Sequence, residues 1–254
     1  MIEIDTEKVK EEKENYYLKA LEWYSEYETI SKSEYSSINT CFNNYIECHE
    51  NSMKFTKNLR CKRRSCPVCD EIDRSAKYFE IMKKIENFKN RYLIFILTVN
   101  GKNVEINDKN KLQNELNVVR INFNKLVKSP FLKNIVKGYL RVMEVAYNPE
   151  RNSFLPHLHI LLFTIKGIYK HFKMKELKEM IQSKWNALNG FKTNIHLEKL
   201  GTEEKIQKTV SYLTHSKKKR LKNFFDNDEN KTILSAYLNI IKRKRIYHWS
   251  KFKE

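Results

Sequence analysis

Long apolar runs are missing from the sequence: nothing in its 254 residues approaches the roughly 18 uninterrupted apolar side chains of a membrane-spanning helix. The opening stretch MIEIDTEKVKEEKENYY also lacks the apolar core of a secretory signal. A soluble, cytoplasmic protein with no membrane partner and with reduced cysteines is therefore expected. No internal repeat or low-complexity tract is present, which excludes solenoid architectures. Acidic residues are short of balance, 31 Asp and Glu against 49 Lys and Arg, for a net charge of +18. The shortage is uneven. Residues 1–34 carry ten acidic side chains and five lysines, so the remaining 220 residues carry +23. So basic a body suits a polyanion, nucleic acid before a membrane surface. A hydrophobic share of 41% with 12% aromatics provides for a core.

The pattern of apolar residues divides the chain into a helical N-terminal arm (1–40), a cysteine-bearing module with a connecting helix (41–90), a core (91–220) and a basic, helical C-terminal segment (221–254). Within the core, RYLIFILTVN (91–100) reads as a buried strand and residues 110–128 as a helix. GYLRVMEVAY (138–147) and PHLHILLFT (156–164) read as strands, residues 173–188 as a helix, and TNIHLEKL (193–200) as a strand. A further helix is expected from about 203 to 217. The order β-α-β-β-α-β is that of the ferredoxin-like, split βαβ arrangement, an α+β fold. Its middle strands form a hairpin through NPERNSFL, its helices cover one sheet face, and the other face is expected to be open.

The strand LPHLHILLF carries His157 and His159 one residue apart. Side chains alternate along a strand, so Leu158, Ile160 and Leu162 share one face and the two imidazoles stand together on the other. Two imidazoles can hold a divalent cation but lack a third ligand. Glu144, in the hairpin partner RVMEVAY, is the candidate. A two-His, one-carboxylate set admits Mn²⁺ or Mg²⁺, with imidazole favouring Mn²⁺.

All five cysteines lie between residues 41 and 69. CKRRSCPVC places Cys61, Cys66 and Cys69 within nine residues, and two thiolates three apart converge naturally on one tetrahedral ion. Cys48 is the expected fourth ligand of a structural Zn²⁺, with Cys41 or His49 as substitutes. A redox role fits less well, because no thioredoxin-like βαβ pattern surrounds the pair. Lys62, Arg63 and Arg64 inside this loop are candidate phosphate contacts.

EEKIQKTVSYLTHSKKK sets Ile206, Val210 and Leu213 on one helical face with Tyr212 on its flank. A phenol beside a divalent cation can attack a phosphodiester. Lys217, Lys218, Lys219 and Arg220 follow at once and are candidate DNA-binding residues. A second run, KRKRIYHWSK (242–251), interleaves aromatics with cations, which suits single-stranded DNA backbone and base stacking or equally a solvated C-terminal helix.

Taken in order, CKRRSCPVC, LIFILTVN, VKGYLRVMEVAYNPERNSFLPHLHILL and VSYLTHSKKK resemble the motifs of rolling-circle plasmid replication initiators (Rep) of Gram-positive bacteria, within the HUH endonuclease superfamily. The resemblance covers roughly residues 48 to 220. It implies an HUH endonuclease core with an N-terminal zinc-binding module and flanking helices. In it His157, His159 and Glu144 hold the metal and Tyr212 is the nucleophile. It further implies nicking of single-stranded origin DNA, free or folded as a hairpin, a 5′-phosphotyrosine intermediate, and a free 3′-hydroxyl for a host polymerase working with a host helicase. Exchange of one phosphodiester for another needs no ATP, consistent with the absence of a G-x-x-x-x-G-K-[ST] loop. Two positions depart from the family pattern: Lys208 stands where a water-activating glutamate is expected, with Glu204 a turn earlier, and His215 replaces a lysine. A transposase-like relative using one tyrosine for both steps, or a zinc-containing DNA-binding protein without catalysis, are the alternatives.

Overall fold

Alternating apolar and polar positions around the histidine pair resolve into two long strands joined by a tight turn. In the computed structural model, which describes residues 15, 18–24, 30–50, 60–63, 65–106, 108–148, 150–224, 233 and 246–252, β3 (Val136–Asn148) and β4 (Ser153–Thr164) pair antiparallel along their length. Residues 45–50, 109 and 215–224 are described by backbone alone. The other strands are β1 (Leu93–Asn100), β2 (Val104–Glu105), β5 (His196–Lys199) and β6 (Tyr247–Trp249). The helices are α1 (Lys32–Glu50), α2 (Pro67–Phe88), α3 (Lys109–Val127), α4 (Pro130–Lys133), α5 (Met174–Asn189) and α6 (Glu203–Phe224). The chain divides into two units, residues 1–79 with 214–242 and residues 80–213 with 243–254.

In the second unit, five strands run in the order β5-β1-β4-β3-β6, with β2 pairing β4 at its start. Every pairing among the described residues is antiparallel. The expected β-α-β-β-α-β sequence of elements is present, and β4 lies at the centre. Its Leu158, Ile160 and Leu162 meet Phe95, Leu97 and Val99 of β1, Val119, Phe123 and Leu126 of α3, and Leu177, Ile181 and Trp185 of α5 in one buried core. Both helices thus cover the same sheet face. Trp185 is fully buried, and its indole N–H donates to the Asn100 carbonyl at 3.0 Å, so the ring is anchored as well as packed. The helix ends have local causes. Asp108 accepts from the Lys111 N–H at 2.8 Å to start α3, and Gly190, at φ 70°, closes α5 in a left-handed conformation that a Cβ disfavours.

Contrary to the expectation from the sequence, the opposite face is not open. Phe163 meets Phe88 at 5.8 Å and Phe252 at 5.2 Å, and Phe88 stacks on Phe252 at 4.0 Å. These rings close the face beyond Leu161, because burying aromatic area outweighs leaving an apolar sheet in water. Gly138 makes the closure possible: a Cβ there would lie 2.7 Å from the Phe252 ring. Residues 247–249 also differ from the helical segment expected over 221–254. Tyr-His-Trp suits a strand, and it adds to the β3 edge opposite Leu140, Arg141 and Val142.

In the first unit, Ala20, Leu21, Trp23 and Tyr24 are buried on a helical stretch, and α1 buries Ile38, Cys41 and Phe42. The 40/41 boundary expected from the sequence falls inside α1. The Tyr24 hydroxyl donates to the Ser65 carbonyl at 2.9 Å, and the Ser65 hydroxyl donates to Glu34, fixing the cysteine loop from two sides.

Candidate active site

Cross-strand register assembles the first site. Glu144 of β3 lies directly opposite His157 of β4, and Thr98 of β1 lies opposite His159. All share the sheet face turned away from α3 and α5. Glu144, His157 and His159 are buried, at 5%, 6% and 7% exposure. One carboxylate oxygen, Glu144 Oε2, is 3.1 Å from His157 Nε2 and 2.8 Å from His159 Nε2, and the two Nε2 atoms are 3.1 Å apart. The remaining ring nitrogens are engaged elsewhere. His157 Nδ1–H donates to the Leu155 carbonyl at 3.1 Å, and His159 Nδ1 lies 2.9 Å from the Thr98 hydroxyl. A proton on Nδ1 leaves the Nε2 lone pair for a ligand role. Three acceptor atoms facing one another at such distances repel unless a positive charge lies among them, and burial sharpens that cost. The set therefore fits a divalent cation held by two imidazoles and a carboxylate.

Tyr212 stands beside this cluster. Its ring meets His159 edge-to-face, with centroids 5.2 Å apart at 87°. Its helix is seated by Ile206, Val210 and Leu213, all buried, while Tyr212 stays 46% exposed. The helix start is capped by Thr202, whose hydroxyl accepts from the Lys205 N–H at 3.2 Å. From the edge of the sheet, the Tyr247 hydroxyl donates to the Leu213 carbonyl at 3.3 Å, one residue past the phenol. Lys208 pairs with Glu204 at 2.7 Å, both side chains being exposed. Thr98 and Tyr247 are participants that the sequence alone did not reveal. A hydroxyl inside an apolar strand was the available signal for Thr98; Tyr247 gave none, because its partner lies 34 residues away.

The second site belongs to the cysteines. The sulfurs of Cys41, Cys61, Cys66 and Cys69 lie within 4.8 Å of one another. Cys69 Sγ is 3.6 Å from both Cys41 Sγ and Cys61 Sγ. Four thiolates bound to one tetrahedral ion at about 2.3 Å stand about 3.8 Å apart, whereas a disulfide requires about 2.05 Å. The spacing suits a shared ion. Backbone N–H groups of Lys62 and Cys69 point at Cys69 Sγ (3.3 Å) and Cys66 Sγ (3.5 Å), favouring negative sulfur. Hydrogen bonds among the thiols spread their ionisation: the Cys61 contact brings Cys41 down to about 7, and the Cys41 contact lowers Cys69 while pushing Cys61 and Cys66 up. One shared cation would replace those protons.

Cys41, named from the sequence as a substitute ligand, stands in this cluster. Cys48 lies two turns further along α1, about 10 Å of helix rise, and its side chain is outside the described residues, as is that of His49. Lys62 and Arg63 are exposed on the cysteine loop. Arg64 and the side chains of Lys217, Lys218, Lys219 and Arg220 lie outside the described residues, though the backbone of 217–220 continues α6. No helix among the described residues is long and apolar enough to cross a membrane.

Residues 52–252 match a family described as Replication protein. The chain is 26% identical over 151 residues to Protein rep of Staphylococcus aureus, a match covering 58% of this chain and 65% of that protein. It is 30% identical over 131 residues to Protein rep of Streptococcus pneumoniae serotype 2, covering 49% of this chain and 39% of the relative. Protein rep of Lactiplantibacillus plantarum is 30% identical over 143 residues, 54% of this chain and 42% of that protein. The matches thus span between two fifths and just under two thirds of these relatives. No solved structure matches the chain. With the family's match running from residue 52 to residue 252, most of the sequence, the chain belongs to the Replication protein family.

Proposed function

We propose that the protein initiates plasmid rolling-circle replication by nicking one strand of its origin DNA with Tyr212. The observation that carries this reading is the Tyr212 ring against His159, inside a buried two-His, one-carboxylate cluster. In this reading the second unit is a ferredoxin-like HUH endonuclease core, and the strand order β5-β1-β4-β3 supports it. Glu144, His157 and His159 hold Mn²⁺ or Mg²⁺. The chemistry that such an ion supplies is polarisation of the scissile phosphoryl oxygens. Tyr212 Oη gives up its proton and attacks phosphorus, the bond to the 3′ oxygen breaks, and the leaving oxygen takes up a proton, so one proton is lost and one gained. The products are a 5′-phosphotyrosine and a 3′-hydroxyl that a host polymerase can extend behind a host helicase. One phosphodiester replaces another, so the step is close to thermoneutral.

The cysteine set, Cys41 with Cys61, Cys66 and Cys69, holds a structural Zn²⁺ that shapes the loop bearing Arg63 and Arg64. Lys217, Lys218, Lys219 and Arg220 follow Tyr212 on the same helix and supply charge to the strand being cut. Lys208 carries no acceptor for a proton, so release of the 5′ end falls to a second passage through Tyr212 or to another base.

The test is incubation of the purified chain with single-stranded origin DNA and Mn²⁺ or Mg²⁺, followed by a denaturing protein gel beside Tyr212→Phe. A metal-dependent DNA-shifted band that the variant lacks is expected. Cleavage with no covalent band, once rapid rejoining is excluded, would mean that water attacks. Tight binding of an authentic origin that neither metal causes to be cut would leave a zinc-containing DNA-binding protein.

A further inference from the structure

Charge is segregated along the chain more sharply than its total shows. From Leu116 to Met143 there are six Lys and Arg and no acidic residue, and from Asn230 to Lys253 there are seven and again none. The stretches lie about a hundred residues apart, and the described end of the second, residues 246–252, meets the first in the second unit. There β3 runs past the end of β6, and a cavity of about 450 Å³ opens, lined by Lys128, Lys133 and Lys137 of the first stretch and Lys251 of the second. Lys128, Lys133 and Lys251 are exposed. The floor is apolar and aromatic, Val127, Val136 and Tyr139, with Ser250 beside it.

The walls of the cavity are held in place from both sides. The Tyr139 N–H donates to Ser250 Oγ and the Ser250 N–H to the Tyr139 carbonyl, each at 2.9 Å, locking the second stretch against β3. The Phe123 ring backs Tyr139 edge-on at 5.0 Å. One carbonyl at the end of α3, which would repel an anion, is occupied: Leu126 O accepts from both the backbone N–H and the hydroxyl of Ser129. Four ammonium groups without a carboxylate among the lining residues, above an aromatic floor, are the parts of a nucleic-acid backbone site.

We propose that this lysine-ringed cavity binds backbone phosphate of the origin DNA at a second point, remote from the cut. The proposal rests on the reading of the protein as an origin-binding nickase and locates a contact which that reading leaves open. Gly138, at the cavity, is six β3 residues from Glu144, about 20 Å of strand. That distance corresponds to about six nucleotide steps along a duplex. A short oligonucleotide spanning only the cut cannot reach the cavity; origin DNA with long flanks can.

The experiment compares the full-length chain with a Lys128→Gln, Lys251→Gln double variant and a Lys128→Arg, Lys251→Arg control. All three are matched for melting temperature. Binding is titrated against salt for long origin DNA and for a short oligonucleotide covering the cut. On long DNA the slope of log affinity against log salt should fall by about 0.7 to 0.9 for each phosphate that the Gln variant no longer neutralises. Between 50 and 200 mM salt the wild type would then lose about tenfold more affinity than that variant. The Arg control and all short-oligonucleotide affinities should stay at wild-type values. An unchanged slope on long DNA overturns the proposal, and so does an equal decrease on short and long DNA, which would reveal a diffuse charge effect. Nicking is scored separately, so an inert wild type would refute the nickase while leaving the binding result to stand or fall alone.

Discussion

Thr98 fixes which nitrogen of His159 faces Glu144. With its hydroxyl 2.9 Å from Nδ1, the ring has little freedom to flip, and Nε2 stays in the cluster. Thr98→Val keeps the size and removes the partner. It should weaken Mn²⁺ binding by about 10- to 100-fold, read by calorimetry, with the circular dichroism spectrum unchanged. The histidine pair and Glu144 were legible in the sequence because strand alternation forces i and i+2 together, and the short hairpin loop brings β3 back beside β4. Thr98 was not, since nothing local reveals that β1 lies on the other side of β4. Cys41 and Cys48 were indistinguishable for a related reason: seven residues are close to two helical turns, so both fall on one face of α1. Separate substitutions resolve them. Cys41→Ser should drop the zinc content of the purified chain from about one ion towards none, whereas Cys48→Ser should leave it intact.

At the scale of elements, long segments declared themselves and short ones did not. α3, α5 and the β3–β4 hairpin each carry enough apolar positions for their period to show. β6 is three residues long, too short for alternation to register, and sits beyond a run of cations that reads equally as a helix. Its aromatic neighbours close the face expected to be open, and Gly138 is where backbone and ring come together. Gly138→Ala forces a methyl group into the Phe252 ring. Urea denaturation should show a destabilisation of about 1 to 3 kcal/mol, and a second change, Phe252→Leu, should recover part of it by vacating that space.

For the molecule as a whole, metal is expected to matter unequally to the two units. Four sulfurs within 4.8 Å of one another bring together α1, the cysteine loop and the start of α2, so one ion held among them would cross-link these segments. A strong chelator should therefore lower the melting of the first unit by several degrees and that of the sheet, which keeps its own aromatic and aliphatic core when its buried cluster loses an ion, by less; calorimetry with and without added Zn²⁺ or Mn²⁺ checks this. The hydrogen bond from Tyr247 to Leu213 has a consequence for synthesis on the ribosome. All three side chains of the buried Glu-His-His cluster have been made by residue 159 and the phenol by residue 212, yet the strand that clasps the phenol's helix is translated only at 247–249. In the proposed reading, a nascent chain acquires its metal pocket first, its nucleophile second and a fixed aim for that nucleophile last, so an unfinished copy would have the means to bind the ion before it had the means to cut.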